Sequence, residues 1–445
     1  MSGVEGRHAL VVGLRSSGSA AARVLIAAGA RVRVSEARDD VEGLAELQAL
    51  GVEVFTGGHE HSHLDGVDLV VASPGVFEAA PILVWAQNRS IPIWSELELG
   101  ARLCSAPYAA VTGTNGKTTT TEMLASVMRA SGMDAIACGN IGHPFSLAAG
   151  EGHDALAVEA SSFQLRFHES FHPRVSVLLN LAEDHLDWHG SYEAYADAKS
   201  RIFAQQSGGD VHIGNADDSE AVAISREAPC RTLWFRLGEP GESEVGYVDG
   251  RLVARIDREI AIGRLASTNA GFLADAAAAT AAALSFGVAG DAVAAGILAA
   301  KPLPHRGQVV AMMGEVAFVD DSKATNPHAA LAGLEGRTDV VLIAGGMSKG
   351  VDLSPLVSAS PHLKGVVAIG EAASEIVGLF EGAIPVRKAD SMQEAVETAF
   401  ELADHYGTVM LAPACASQDM FIDYRDRGER FTRAAVSLSE DEARG

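Results

Sequence analysis

The sequence predicts an α/β protein of three domains, each built on a mostly parallel sheet with flanking helices. Short apolar, β-rich runs alternate with longer Ala/Leu-rich helical stretches for most of the length, which is the rhythm of βαβ units. A chain of 445 residues has room for about three domains of roughly 150 residues each. Most predicted strands end in a polar or glycine-bearing turn, the place where open α/β sheets bind ligands. The expected domains are 1–94, 95–300 and 301–445.

In the first segment, residues 8–12 read as a buried strand, 13–18 as a glycine-bearing turn and 19–28 as a helix stopped by Gly29. Residues 31–35 form a second strand ending at Glu36, and 69–72 another before Ser73-Pro74-Gly75. Pro92 marks the boundary. The second segment opens with a strand at 108–112, a loop, and a helix from about Lys117. Strands follow at 155–158 and 175–179, and helix 270–286 precedes another helix and Lys301-Pro302-Leu303-Pro304. Two prolines in four residues break a helix and suit a hinge for domain closure. The third segment has strands at 316–319, 340–344, 366–369 and 408–411.

Composition bounds the function. Hydrophobic residues make up 48% and charged residues 21%, which excludes disordered, collagen-like and coiled-coil chains. Lys plus Arg total 34 against 58 Asp plus Glu, a formal charge of −24. Such a chain repels a phosphate backbone, so nucleic acid is not an expected partner. Cys104, Cys138, Cys230 and Cys415 form no C-x-x-C pair, so neither a disulfide framework nor a thiolate zinc site is expected. The start lacks signal-peptide form, and uncharged stretches such as 276–290 fall short of the roughly 18 residues a spanning helix needs. The expectation is a cytoplasmic protein without membrane insertion.

The strongest local signal is Thr112-Gly113-Thr114-Asn115-Gly116-Lys117-Thr118-Thr119. Backbone N–H groups in such a strand–loop–helix turn cradle phosphates, Lys117 adds a point charge, and Thr118 offers a hydroxyl to Mg²⁺. Val111 stands where a strict phosphate loop has its first glycine. The turn Gly13-Leu14-Arg15-Ser16-Ser17-Gly18 is a degraded dinucleotide fingerprint, with Arg15 in place of the middle glycine. Glu36 is placed to accept from a ribose hydroxyl or a base N–H. A nucleotide fits this turn better than NAD does.

Glu159 ends an apolar strand, where a carboxylate needs a cation. His185 lies in Asn180-Leu181-Ala182-Glu183-Asp184-His185-Leu186-Asp187 and could share a divalent ion with Glu159; alone it reads as a surface histidine. Lys199 alone reads as a solvated lysine. Arg306, after the proline pair, can bind phosphate or carboxylate bidentately. Asp320-Asp321-Ser322-Lys323-Ala324-Thr325-Asn326, Gly345-Gly346-Met347-Ser348-Lys349-Gly350 and Ala412-Pro413-Ala414-Cys415-Ala416-Ser417 end three strands. Thr325, Lys349 and Ser417 there can converge on a small anion. Glu440-Asp441-Glu442 reads as a solvated tail. On the residues alone, an amide-forming ligase, a nucleotide-dependent switch and a nicotinamide oxidoreductase all stay open.

The chain resembles the Mur ligase family over nearly its whole length. The loop at 112–119, Gly139-Asn140-Ile141-Gly142, Glu159 to Leu165, Asp184-His185-Leu186-Asp187 and His305-Arg306 match its shared motifs. Residues 321–326 and 413–417 look like those of its D-glutamate-adding member. The Asp-Asn-Pro-Arg motif of the meso-diaminopimelate-adding member is not found in this sequence. The resemblance implies a Rossmann-like first domain for a UDP-sugar, a P-loop-type central ATPase domain and a Rossmann-like third domain. It implies phosphorylation of a muramoyl-alanine carboxylate by ATP, then attack on the acyl phosphate by the D-glutamate amine, by a monomer acting on small molecules.

The resemblance also implies roles for single residues. Gly113, Thr114, Asn115, Gly116, Lys117, Thr118 and Thr119, with Asn269, Arg306 and Asp321, would bind ATP. Thr118 and Glu159 would hold Mg²⁺; His185 and a carbamylated Lys199 would serve a second metal site. Leu14, Arg15, Ser16, Glu36 and Arg38 would hold the uridine diphosphate, with Asn140 and Gln164 on the muramoyl-alanine. Thr325, Lys349, Ser417 and Tyr424 would bind D-glutamate, and His305 and Lys323 would flank the reacting groups. Two places depart from the family pattern. Leu265-Ala266 stand where the family usually has His-Asn, which bears on an adenine contact, and Met347-Ser348 where an acidic residue is common.

Overall fold

The computed structural model describes residues 3–41, 43–265, 269–300 and 303–442. Three sheets follow one another along the chain. The first holds β1 (His8–Val12), β2 (Arg31–Ser35), β3 (Glu53–Phe55), β4 (Leu69–Ala72) and β5 (Ile93–Ser95) in the order β3-β2-β1-β4-β5, all parallel. Strand β5 straddles the expected boundary at Trp94, so this sheet ends at Ser95. The first helix runs Ser16–Ala27, three residues earlier than the composition suggests. Gly18 therefore lies inside it: a Cβ there would sit 1.9 Å from the Gly13 carbonyl oxygen. That glycine lets the helix press against the turn.

The central sheet has nine strands: β6 (Tyr108–Thr112), β7 (Ala135–Gly139), β8 (Ala155–Glu159), β9 (Val175–Leu178), β10 (Val211–Asn215), β11 (Arg231–Leu237), β12 (Glu244–Val248), β13 (Arg251–Ile256) and β14 (Arg258–Arg264). Their order is β14-β13-β12-β11-β10-β9-β6-β8-β7, with antiparallel pairing only from β12 to β14. The sequence reading left 211–264 unassigned. Strands β11 and β13 alternate buried and solvent-facing residues, so they lack the continuous apolar run of a two-sided core strand.

The third sheet holds β15 (Gln308–Met313), β16 (Glu315–Asp320), β17 (Val340–Gly345), β18 (Leu363–Ile369), β19 (Val386–Ala389) and β20 (Tyr406–Leu411), ordered β15-β16-β20-β17-β18-β19. Only β15–β16 is antiparallel. Alternate residues of β17 enter separate cores on its two faces: Val340, Leu342 and Ala344 on one, Val341 and Ile343 on the other. The late strand β20 inserts between β16 and β17, which brings the turns after these three strands side by side.

Described residues within 1–181, 193–267 and 273–300 form one compact unit. Those within 182–192, 268–272 and 301–445 form a second. The stretch 182–192 thus leaves the expected 95–300 domain; Asn326 Nδ2 donates to Asp184 Oδ2 at 3.3 Å. Lys301 and Pro302 of the expected hinge, and Ala266, lie outside the described residues. Among the described residues no helix is long and apolar enough to cross a membrane. Residues 440–442, read as a solvated tail, end the helix Tyr424–Glu442.

Candidate active site

In the first unit, the loop after β6 is held from several sides. Thr114 N–H donates to the Asn180 carbonyl at 2.9 Å, and Asn115 N–H to Asn180 Oδ1 at 2.8 Å. Asn180 Nδ2 returns a bond to the Asn115 carbonyl at 3.1 Å. Thr114 Oγ1 pairs with the Tyr195 hydroxyl at 2.9 Å, and Thr112 Oγ1 donates to the Ala160 carbonyl at 2.8 Å. Gly116 has φ +86°, and a Cβ there would lie 2.1 Å from Asp275 Oδ1. Backbone strain and the approach of Asp275 both demand glycine at that position.

Two cations meet at one oxygen of this loop. The Gly113 carbonyl accepts from Lys117 Nζ at 2.9 Å and from Lys199 Nζ at 2.6 Å. Lys117 Nζ also donates to the Thr114 carbonyl at 2.8 Å. Lys199 is 1% exposed and stands 4.5 Å from the Tyr195 ring centre. The solvated lysine that its local sequence suggests is overturned, because the helix Tyr192–Ser200 turns this face inward.

Glu159 ends β8, which pairs with β6 so that Val111 faces it. It is 2% exposed. Its Oε1 accepts from Asn140 Nδ2 at 2.9 Å, while the buried Oε2 has no partner. A buried carboxylate oxygen with no donor calls for a cation. Thr118, at the start of the loop's helix, is half-buried; its hydroxyl and the Glu159 carboxylate are both oxygen donors of the kind a hard divalent ion takes. Gln164 caps its own helix. It is fully buried, and its Oε1 accepts from Ser161 N–H at 3.0 Å and Ser161 Oγ at 2.9 Å in a capping box. Its side-chain oxygen serves the cap, and its Nε2 donates to Glu96 Oε2 at 3.4 Å.

A pocket of about 500 Å³ opens above the carboxyl ends of the first sheet. Leu14, Arg15, Ser16, Glu36, Arg38, His59 and Asn140 are among its lining residues. Leu14 N–H donates to Glu36 Oε2 at 2.6 Å, and Arg38 donates to Glu36 from its backbone and its guanidinium at 3.0–3.2 Å. Burial raises the Glu36 pKa, but the Arg38 bonds and the Leu14 N–H bring it down to about 2. Each Glu36 oxygen holds two protein donors, so Glu36 locks the turn that lines this pocket. The sequence reading missed His59. Ser35 Oγ lies 2.7 Å from His59 Nδ1 and 2.9 Å from His63 Nδ1. Burial, then the His63 charge, lowers the His59 pKa.

In the second unit, the turns after β16, β20 and β17 carry the other expected residues. His305 Nδ1 bonds Asp320 Oδ2 at 2.6 Å, and His305 has φ +62°. Asp321 Oδ1 accepts from Gly307 N–H at 3.1 Å. Burial pushes its pKa up to about 7 against the opposing charge of Arg306. Arg306 Nε is buried without a partner. Lys323 Nζ stands 5.4 Å from the Tyr424 ring centre, and the His305 ring 6.2 Å from it. Thr325 and Lys349 are half-buried, and Ser417 is buried. Met347 and Ala416 exchange two backbone bonds of 2.9 Å, which seats the Lys349 turn against the Ser417 turn.

Asn269 is exposed, and its Oδ1 accepts from Phe272 N–H at 2.9 Å. Asp275, which the sequence reading passed over, approaches the phosphate loop at Gly116. Its signal was visible: one acid amid the alanines of helix Ala270–Phe286. His185 belongs to the second unit and Glu159 to the first. His185 has φ +54°, and its N–H donates to Asp184 Oδ1 at 2.9 Å. Among the described residues, no group of three or more His, Cys, Asp or Glu side chains gathers to hold a metal.

Family profiles match all three regions: a MurD-like Mur ligase N-terminal domain at residues 7–95, a Mur ligase middle domain at 111–249, and a Mur ligase glutamate ligase domain at 305–415. A UDP-N-acetylmuramoylalanine–D-glutamate ligase of Frankia casuarinae is 44% identical over 450 residues, covering 98% of this chain and 95% of its own. A protein of the same name from Streptomyces coelicolor is 40% identical, covering 97% and 98%. The chain belongs to the Mur ligase family.

Solved structures agree on the fold. A pseudomurein peptide ligase type C of Methanothermus fervidus superposes with a TM-score of 0.61 at 18% identity, covering 97% of this chain and 100% of that one. A MurF ligase of Thermotoga maritima in complex with ADP gives 0.60 at 19%, covering 99% and 97%. In this Mur ligase, each matched region falls on a different sheet, and strands β13, β14 and most of β6 lie outside the middle match.

Proposed function

We propose that this Mur ligase is an ATP-dependent acid–amino-acid ligase. It joins the alanyl carboxylate of UDP-N-acetylmuramoyl-L-alanine to the amine of D-glutamate, in the cytoplasmic synthesis of peptidoglycan precursors, and works as a monomer. The supporting observation is the braced loop at 112–119 beside the partnerless oxygen of Glu159. Such a site serves a metal-bound triphosphate. The choice among ligases rests on the near-full-length relatives named for this reaction.

The carboxylate attacks the γ-phosphorus, ADP departs, and an acyl phosphate results. The amine then attacks the acyl carbon, loses a proton, and phosphate leaves. A carboxylate repels both a phosphoryl group and a nucleophile, so cations must screen the approach. Lys117 leaves its loop carbonyls for the β- and γ-phosphates, and Gly113 to Thr119 wrap the chain of phosphates. Thr118 and Glu159 hold Mg²⁺, which supplies charge neutralisation when bound. Arg306 and Asp321 serve ATP as well. Lys199 as an amine is a donor; as a carbamate it gains two oxygens, relieves the two-cation crowding at Gly113, and suits a second cation, the role proposed for His185 too.

Residues 1–94 take the uridine diphosphate through Leu14, Arg15, Ser16 and Arg38, with Asn140 at the muramoyl end. Residues 95–300 take ATP. Residues 301–445 take D-glutamate through Thr325, Lys349, Ser417 and Tyr424, while His305 and Lys323 flank the reacting groups. The test supplies ATP, Mg²⁺, the muramoyl-alanine nucleotide and one amino acid at a time, and measures phosphate. Release with D-glutamate alone is expected; release that ignores the amino acid would overturn the reading.

A further inference from the structure

Arg427 is the largest side chain fully removed from solvent in the described structure. It sits in the first turn of the helix Tyr424–Glu442. Its guanidinium reaches two different strand-end turns. Nε donates to Ser322 Oγ at 3.0 Å and Nη2 to the Ser322 carbonyl at 2.8 Å, after β16. Nη1 donates to the Cys415 carbonyl at 3.0 Å, after β20. Ser322 Oγ in turn donates to the Tyr424 carbonyl at 2.7 Å, closing the ring of bonds on the helix. Gly428 follows, and a Cβ there would fall 2.2 Å from His305 Nδ1.

All three acceptors are neutral oxygens. The charges of Asp419 and Asp320 act on Arg427 without a direct hydrogen bond, and a buried guanidinium still costs more than an apolar side chain of equal volume. Packing alone therefore does not account for arginine here. What an apolar residue cannot supply is a rigid planar fork that fixes two loops at once and a positive charge beneath them. One loop carries Lys323 and Thr325, the other Ser417, and the helix begins with Tyr424.

We infer that Arg427 is a positioning residue that ties the Ser322 and Cys415 turns into one anion-binding pocket and so holds in place the groups that bind the acidic amino acid there. The inference rests on the assignment of that pocket to D-glutamate. Arg427 touches no substrate; it acts through the residues it holds.

The test compares wild type, Arg427→Lys and Arg427→Met by steady-state kinetics, with thermal unfolding as a control on the fold. Lysine keeps the charge and loses the fork; methionine loses both. The KM for D-glutamate should rise about tenfold in Arg427→Lys and further in Arg427→Met. The KM for the muramoyl nucleotide should stay within about twofold in both, because that site draws on other residues. Ser322→Ala removes one acceptor, is milder to the fold, and should raise the same KM by a smaller factor. An unchanged D-glutamate KM in Arg427→Lys and Ser322→Ala would overturn the inference, as would equal rises in all KM values. If wild type shows no D-glutamate-dependent turnover, the functional reading itself fails, and that outcome is separate from these.

Discussion

Asp321 ties stability to pH. Burial lifts its pKa from 3.8 to about 7, with the charges of Arg306 and Arg337 and the Gly307 N–H opposing. The folded protein therefore holds a proton on Asp321 that the unfolded chain releases between the two values. The stabilisation is complete below pH 3.8 and is lost as pH rises through about 7. At 1.36 kcal/mol per unit, the full swing is roughly 4 kcal/mol, an order-of-magnitude figure. Other groups titrate in the same range, so the measurement is a difference. Urea unfolding of wild type and Asp321→Asn is followed at intervals from pH 4 to pH 9. Asparagine cannot ionise, so the stability of wild type minus variant should fall steadily from pH 4 to pH 8. A difference flat across that range would refute the reasoning, and a rise with pH would reverse its sign.

Other consequences are shorter to state. Gly116→Ala forces a Cβ into Asp275 at φ +86°; the strain is about 1–2 kcal/mol, and loop displacement should cut turnover about a hundredfold, read by ATP-dependent phosphate release. Lys199→Ala should lose turnover and regain part of it with added formate or acetate, which supply a carbamate-like oxygen pair; intact activity without added acid would remove the carbamate assignment. Glu36→Gln loses the charge that holds Leu14 N–H and Arg38, so the KM for the muramoyl nucleotide should rise several-fold while that for D-glutamate holds. Lys349→Ala should raise the D-glutamate KM more than the ATP KM, and equal KM values would count against its place in the pocket.

The fold was legible where burial was two-sided. Strands β1, β6 and β17 are continuous apolar runs, and each ends in a glycine-bearing or polar turn that the sequence displays directly. Strands β10 to β14 were not legible: β11 and β13 mix exposed polar and buried apolar residues, and β12 to β14 pair antiparallel at the sheet's edge. The phosphate loop was legible because its residues are contiguous. What braces it was not, because Asn180, Tyr195 and Asp275 arrive from 65 or more residues away. The local run around Lys199 also suggests the wrong environment for it, and the cap that Gln164 makes cannot be read from its neighbours alone. A lysine in a polar helical run shows no sign of facing inward until the helix is placed. A glutamine three residues after Ser161 reads equally well as a cap or a ligand until its partners are known. Arg427 had no signal, since nothing in a charged helix start distinguishes the one cation that enters the core.

The central claim is that phosphate is transferred to the muramoyl-alanine carboxylate before the amide forms. Supplying that substrate with ¹⁸O in both alanyl carboxylate oxygens, with ATP, Mg²⁺ and D-glutamate, tests it by mass spectrometry of the phosphate released. One labelled oxygen per phosphate is predicted, because the attacking carboxylate oxygen leaves with the phosphorus. Phosphate carrying no label, in a reaction that still yields the amide, would contradict the account.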